Sequence, residues 1–169
     1  AFAGDHSDWI AIHHAAPRAG GAAPGGTGGG APAATGATLE LLNLAQGTPQ
    51  PVSDVSEFAF DESGDWIAMA IATADQLGNS VQLRQLSTGI SRALDAKKAT
   101  YRRLTWGDSS DALAMLRVVS DTAGGDDDVN VLLIPHAAAA NAVPTVITAK
   151  TAGVPSGLVL SGDRAPEWG

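Results

Sequence analysis

Phe58-Ala-Phe60-Asp-Glu-Ser-Gly-Asp65-Trp66-Ile-Ala-Met69 and Leu104-Thr-Trp106-Gly-Asp-Ser-Ser-Asp111-Ala-Leu-Ala-Met115 are the same phrase, 46 positions apart and without a gap. Each begins with two apolar residues spaced by one, the alternation of a strand with one buried face. Each then passes through an Asp/Ser/Gly cluster, where short polar side chains and glycine tolerate left-handed backbone angles. Each ends in a second apolar run closing on methionine. Strand, tight turn and strand make a hairpin, and its recurrence at one spacing is the mark of a repeat architecture.

Working outward, Ser80-Val-Gln-Leu-Arg-Gln-Leu86, Thr88-Gly89 and Ile90 to Leu94 lie between the two copies and supply a third strand, a glycine turn and a fourth strand. An earlier copy is legible in Asp8-Trp9-Ile-Ala-Ile12, Thr38 to Leu44, Gln46-Gly47 and Pro51-Val52. A later one continues through Val129 to Ile134 and Thr145 to Thr148. Trp9 and Trp66 head equivalent second strands, and their expected role is packing between neighbouring repeats. Asp95 to Thr100 and His136 to Asn141 tolerate helix but are too short to hold one alone. Four strands in roughly 45 residues is the size of one blade of a β-propeller. The expectation is therefore an all-β fold, a β-propeller fragment of about three four-stranded antiparallel blades. The repeats fall near 8–60, 61–106 and 107–168, within one partial propeller spanning 1–169.

The segment 15–36, rich in glycine, proline and alanine, interrupts the first repeat. Glycine this dense loses too much backbone entropy to hold a helix or strand, so a flexible surface loop is expected. A phosphate cradle would need Gly-Lys-Ser/Thr leading into a helix, and no lysine precedes Lys97. Both ends fall inside the repeat: the chain opens just before a second strand, and Trp168-Gly169 stands where a hairpin turn would begin. Propellers of roughly four to eight blades close into rings. An open arc cut from a longer protein is thus expected, with bare end faces that favour self-association.

Composition narrows the function classes. A formal charge of -8 with no basic stripe argues against nucleic acid and anionic membranes. No apolar run approaches the about 18 residues of a membrane helix. The absence of cysteine removes disulfides and thiolate metal sites without fixing the compartment. Export to the periplasm or medium would need a signal peptide upstream, because the first residues lack that layout.

Candidate chemistry is sparse, and no cofactor site is expected. His6, His13 and His14 are close in sequence, but adjacent strand residues point to opposite faces, so they make a poor metal site. Asp126-Asp127-Asp128 lacks the ligand spacing of a calcium loop and reads as an acidic hairpin tip. Asp61-Glu62-Ser63-Gly64-Asp65 reads as turn chemistry, and Asp54, Glu57, Asp61 and Asp65 give no assignable acid/base pair. No Gly-x-Ser-x-Gly nucleophile elbow occurs; Gly89-Ile90-Ser91 and Pro155-Ser156-Gly157 lack its spacing. His136, between Pro135 and an alanine run, reads as a loop residue without a nucleophile to serve. No catalytic, cofactor-binding or metal-binding residue is assigned.

With the two hairpin phrases and the closing Asp163-Arg164-Ala165-Pro166-Glu167-Trp168, the chain resembles the N-terminal β-propeller of the prolyl oligopeptidase family of serine peptidases, which includes dipeptidyl and acylaminoacyl peptidases. Arg164-x-Pro166-x-Trp168 resembles the phrase that opens a blade in these proteins. The resemblance implies a propeller that caps an α/β-hydrolase domain and filters peptide substrates by size. The hydrolase and its Ser-Asp-His triad are absent from this sequence, so no catalytic residue carries over. The alternative is a non-enzymatic propeller for protein binding, of the TolB type.

Overall fold

The computed structural model describes residue 1 and residues 8–14, 37–121 and 125–168. Within them lie ten strands: β1 (Trp9–His14), β2 (Ala37–Asn43), β3 (Pro49–Phe60), β4 (Trp66–Ile71), β5 (Ser80–Gln85), β6 (Ser91–Ala96), β7 (Thr100–Trp106), β8 (Leu113–Val119), β9 (Asp128–Ile134) and β10 (Thr145–Ile147). Every pairing is antiparallel between neighbours in sequence, as hairpin turns require. Among the described residues there is no helix, and the helix-tolerant stretches are strand, bend and turn. The glycine-rich segment 15–36 and His6 lie outside the described residues.

β7 to β10 form a sheet of their own, whereas β1 to β6 form one continuous sheet. The long sheet is two repeats joined through β3. Its first part, Pro49 to Val52, pairs with β2. Its second part, from Val55 to Phe60, pairs with β4. Asp54 stands at the corner with φ of 60°, and Ala72 donates its N–H to the Asp54 carbonyl. The sequence suggested separate strands around Pro51-Val52 and Phe58, so this unbroken strand is a difference. A single left-handed residue turns the corner without the polar cluster that marks ordinary turns. Pro49 and Pro51 lie where β3 has β2 as its one partner, and there a missing N–H is tolerated. Ala1 exchanges both backbone hydrogen bonds with Ala11, at 2.8 and 2.9 Å, and so begins the pairing on the other side of β1.

The two hairpins quoted above are superimposable in their bonding. Asp61 N–H donates to the Trp66 carbonyl at 3.1 Å, and Gly107 N–H donates to the Ala112 carbonyl at 2.8 Å. Gly64 bonds back to Asp61 as Ser110 bonds back to Gly107. The left-handed residue differs: it is Gly64 in the first turn and Ser109 in the second. The glycine turns also match, with Gly47 N–H on the Asn43 carbonyl and Gly89 N–H on the Gln85 carbonyl, both glycines left-handed.

Side chains alternate across β4 as the pleat demands. Ile67, Met69 and Ile71 join Trp9, Ala11, Leu39, Leu41 and Val55 in one core. Ala68 and Ala70 face the other way, into a core with Leu83, Leu104, Leu113 and Met115. Each core therefore lies between two successive blades, with small residues of one face meeting large residues of the next. Trp9 fills the first seam and Trp66 packs against the second, the packing role expected of them.

The far face of the last sheet is not bare. Ala114, Leu116 and Val118 are buried. The chain beyond β10 approaches this sheet at several points: Arg103 donates from Nη2 to the Asp163 carbonyl at 3.0 Å. A Cβ on Gly162 would meet the Arg102 guanidinium and Val129, and one on Gly107 would touch the Trp168 indole. The uncovered end face expected from the sequence is, on this side, lined by the chain's own tail.

Candidate functional site: the seams between blades

What one blade presents to the next is set by the first strand of each repeat. β7 carries a bulge: Arg102 pairs with Leu116 and Thr105 with Ala114, so three steps on β7 match two on β8. Arg103 sits in that bulge with φ of 60°. The bulge frees two adjacent N–H groups, of Arg103 and Leu104, and the Glu57 carboxylate accepts both, each at 2.8 Å. Glu57 lies on β3, so one carboxylate clamps the next blade's first strand. Two further bonds repeat this span of 47 residues: the Trp106 indole Nε1 donates to the Ala59 carbonyl at 3.1 Å, and the Ser109 N–H donates to the Glu62 carboxylate at 2.8 Å. Repeats that pair only with their sequence neighbours, bury a core at each seam and are cross-bonded at one repeat length fit one architecture.

The chain is an arc of a β-propeller.

Across the outer part of the second seam, Asp95 at the end of β6 accepts from the Tyr101 hydroxyl at 2.8 Å and from Arg117 Nη1 at 3.1 Å. Both ionic side chains are largely buried. Burial, then the hydrogen bond and charge of Asp95, holds the Tyr101 phenol well above its ordinary value. The group is polar mortar between blades.

The residues weighed from the sequence are dispersed by the fold. His13 and His14 do point apart: His13 Nε2 meets the Val55 carbonyl at 2.8 Å, edge-on to Phe58, and His14 Nε2 meets Glu40 at 3.0 Å. Among the described residues no three His, Cys, Asp or Glu side chains group to hold a metal. Asp61 is a turn residue, its carboxylate accepting from Trp66 N–H at 2.8 Å and from the Ser63 hydroxyl. Asp126 to Asp128 are exposed, and Asp128 opens β9. His136 is left-handed and exposed in the turn after β9, with Nδ1 2.9 Å from Asp111. An acidic cleft of about 440 Å³ lies between the hairpin tips, lined by Asp61, Glu62, Ser63, Ser109, Ser110 and Asp111. Its carboxylates are engaged in the turns and cross-bonds just described.

No family model matches the chain, and no curated protein matches it significantly. Among solved structures it is similar to the acylaminoacyl peptidase of Pyrococcus horikoshii, with a TM-score of 0.47 and 13% identity over 64% of this propeller arc and 20% of that chain. It is also similar to the tricorn protease, with a TM-score of 0.49 and 15% identity over 69% of the arc and 11% of that chain. The arc spans a small part of either protein.

Proposed function

We propose that this arc is the propeller segment of a prolyl-oligopeptidase-like serine peptidase, capping a hydrolase domain and filtering what reaches it. The observation that carries the reading is the pair of hairpin phrases with the closing Arg164-x-Pro166-x-Trp168, set on stacked blades. The names of the two similar structures, both peptidases, are in keeping with it. A propeller serves as a filter because clamped seams keep its bore rigid while its blades leave a narrow axial opening. In this role the arc supplies shape, and a separate domain supplies nucleophile, base and oxyanion donors.

The test has two parts. The coding sequence beyond Gly169 is read for a Gly-x-Ser-x-Gly elbow, and the parent protein is expressed with the propeller intact or with the blades of 55–147 removed. Fluorophosphonate should label the parent and leave this chain alone unlabelled. Removing the blades should raise cleavage of a large unfolded protein relative to an aminoacyl-nitroanilide. A parent without a nucleophile elbow, inert to the probe, overturns the reading in favour of a protein-binding propeller.

A further inference from the structure

The first seam holds a charge at a register position where the second has an apolar residue. Ile67 on β4 pairs with Arg84 on β5, and the equivalent Leu113 on β8 pairs with Ile134 on β9. One register position is therefore a fully buried isoleucine in the last blade and an arginine in the blade before it. Arg84 shares the face of Ile67 and so points toward the first blade, where Gln50 of β3 comes to meet it. Arg84 Nη2 donates to the Gln50 side-chain oxygen. Its Nε is shielded from solvent and has no acceptor among the described residues.

No carboxylate among the described residues forms an ion pair with Arg84, although acidic residues outnumber basic ones 18 to 10. Arg117, by contrast, has Asp95. A guanidinium carries five donors and a permanent charge, and withdrawing it from water without an anion is costly. Around Arg84 lies a cavity of about 360 Å³, between the Gln46-Gly47 turn of one blade and the Thr88-Gly89 turn of the next. Trp9 borders it, the exposed lining is mostly polar, and the side chains of Gln46 and Ser87 line it without hydrogen bonds among the described residues. The volume lies within the range of small-ligand pockets. A partly enclosed arginine in a mostly polar cavity, with free amide and hydroxyl groups beside it, makes the chemistry that receives a planar carboxylate.

We propose that this cavity binds a carboxylate, with Arg84 as the charge partner and Gln46 and Ser87 as secondary donors. The carboxylate would come from a peptide C-terminus or from an acidic side chain. The site stands apart from the hairpin-tip cleft and does not rest on the peptidase reading.

Titrate the full, 15N-labelled chain with N-acetyl-alanine, N-acetyl-glutamate amide and N-acetyl-alanine amide, following the Arg84 Nε–Hε, Trp9 indole and Gln46 side-chain signals. Either or both acids should give saturable shifts at about millimolar concentration, and the neutral amide should give none. A response to the first acid alone assigns a chain terminus; a response to the second assigns a side chain. Arg84→Lys, which keeps the charge and loses the planar fork, should weaken binding by about tenfold or more. Should that variant fail to fold, the double variant Gln46→Ala/Ser87→Ala, at exposed turn positions, should weaken it several-fold. The proposal is overturned by non-saturating shifts, by an equal response to the neutral amide, by tighter binding of inorganic phosphate, or by unchanged affinity in the variants.

Discussion

Replacing Glu57 with alanine should loosen the second seam by an amount that can be worked from its two hydrogen bonds. The carboxylate accepts from Arg103 N–H and Leu104 N–H, both at 2.8 Å. Charge-assisted bonds of this kind contribute about 1.5–3 kcal/mol each when the partner is otherwise unsatisfied. Arg103 is exposed, so water replaces the lost acceptor there and that bond counts for little. Leu104 is only 8% exposed, so its N–H is left without a partner at the bulge. The expected cost is about 2 kcal/mol. For a chain of this size that lowers the melting temperature by about 4–8 °C. Glu57→Gln keeps one acceptor oxygen but turns an amide donor toward the second N–H, and should cost about half as much. Glu62→Ala is the control: it removes an equally short bond, to Ser109, at an exposed tip and should change stability by under about 0.5 kcal/mol. Urea and thermal melts of the three variants check the order. Equal stability of Glu57→Ala and Glu62→Ala would refute the clamp, because the bulge donors would then be satisfied by water.

Two further outcomes follow from the seams. Tyr101 is the one tyrosine in the sequence, so tyrosinate absorbance reports it alone. Its raised value means the folded state keeps the proton that the unfolded state releases above about 10, so stability is intact below that pH and falls as pH rises beyond it. The absorbance change should therefore coincide with alkaline unfolding and move to lower pH in Asp95→Asn; ionisation at the ordinary value in the folded chain would contradict this. Ala70→Leu puts three extra carbons where a small residue faces the Leu113 and Met115 core, and should cost about 1–3 kcal/mol in denaturant melts, against a negligible change for a seam that can part.

The strand content, the hairpins and the blade-sized repeat were legible because local rules set them: alternation for the strands, Asp/Ser/Gly clusters for the turns, recurrence for the stacking. Trp9 and Trp66 were readable as seam residues from their shared place in the repeat. What escaped is what depends on contacts between repeats. Ser53-Asp54 gives only a two-residue polar signal, easily read as a solvated strand position, yet Asp54, of a type that tolerates the left-handed region, alone does the work of a turn. Arg103 carries no glycine signal, yet the bulge puts it in the same backbone region. Glu57 carried no such mark: Ser56 and Glu57 both stand between Val55 and Phe58, and the bulge that Glu57 binds lies 46 residues on. Arg84 did carry one: aligning the third strands sets it against Leu42 and Ile134, the odd charge in an apolar column. The tail's approach to the last sheet joins residues about 60 positions apart, as from Arg103 to Asp163, which no local pattern reports.

The shared strand β3 makes the blades unequal partners in unfolding. In a linear array, cooperativity is the strength of the coupling between nearest neighbours. The first two blades are coupled through an unbroken backbone and its ladder on both sides, so fraying one pulls directly on the other. The second and third are coupled by side chains and a few cross-bonds alone. Amide exchange should accordingly divide the molecule after β6 rather than into three equal units, with 37–96 opening as one block and 100–147 as another.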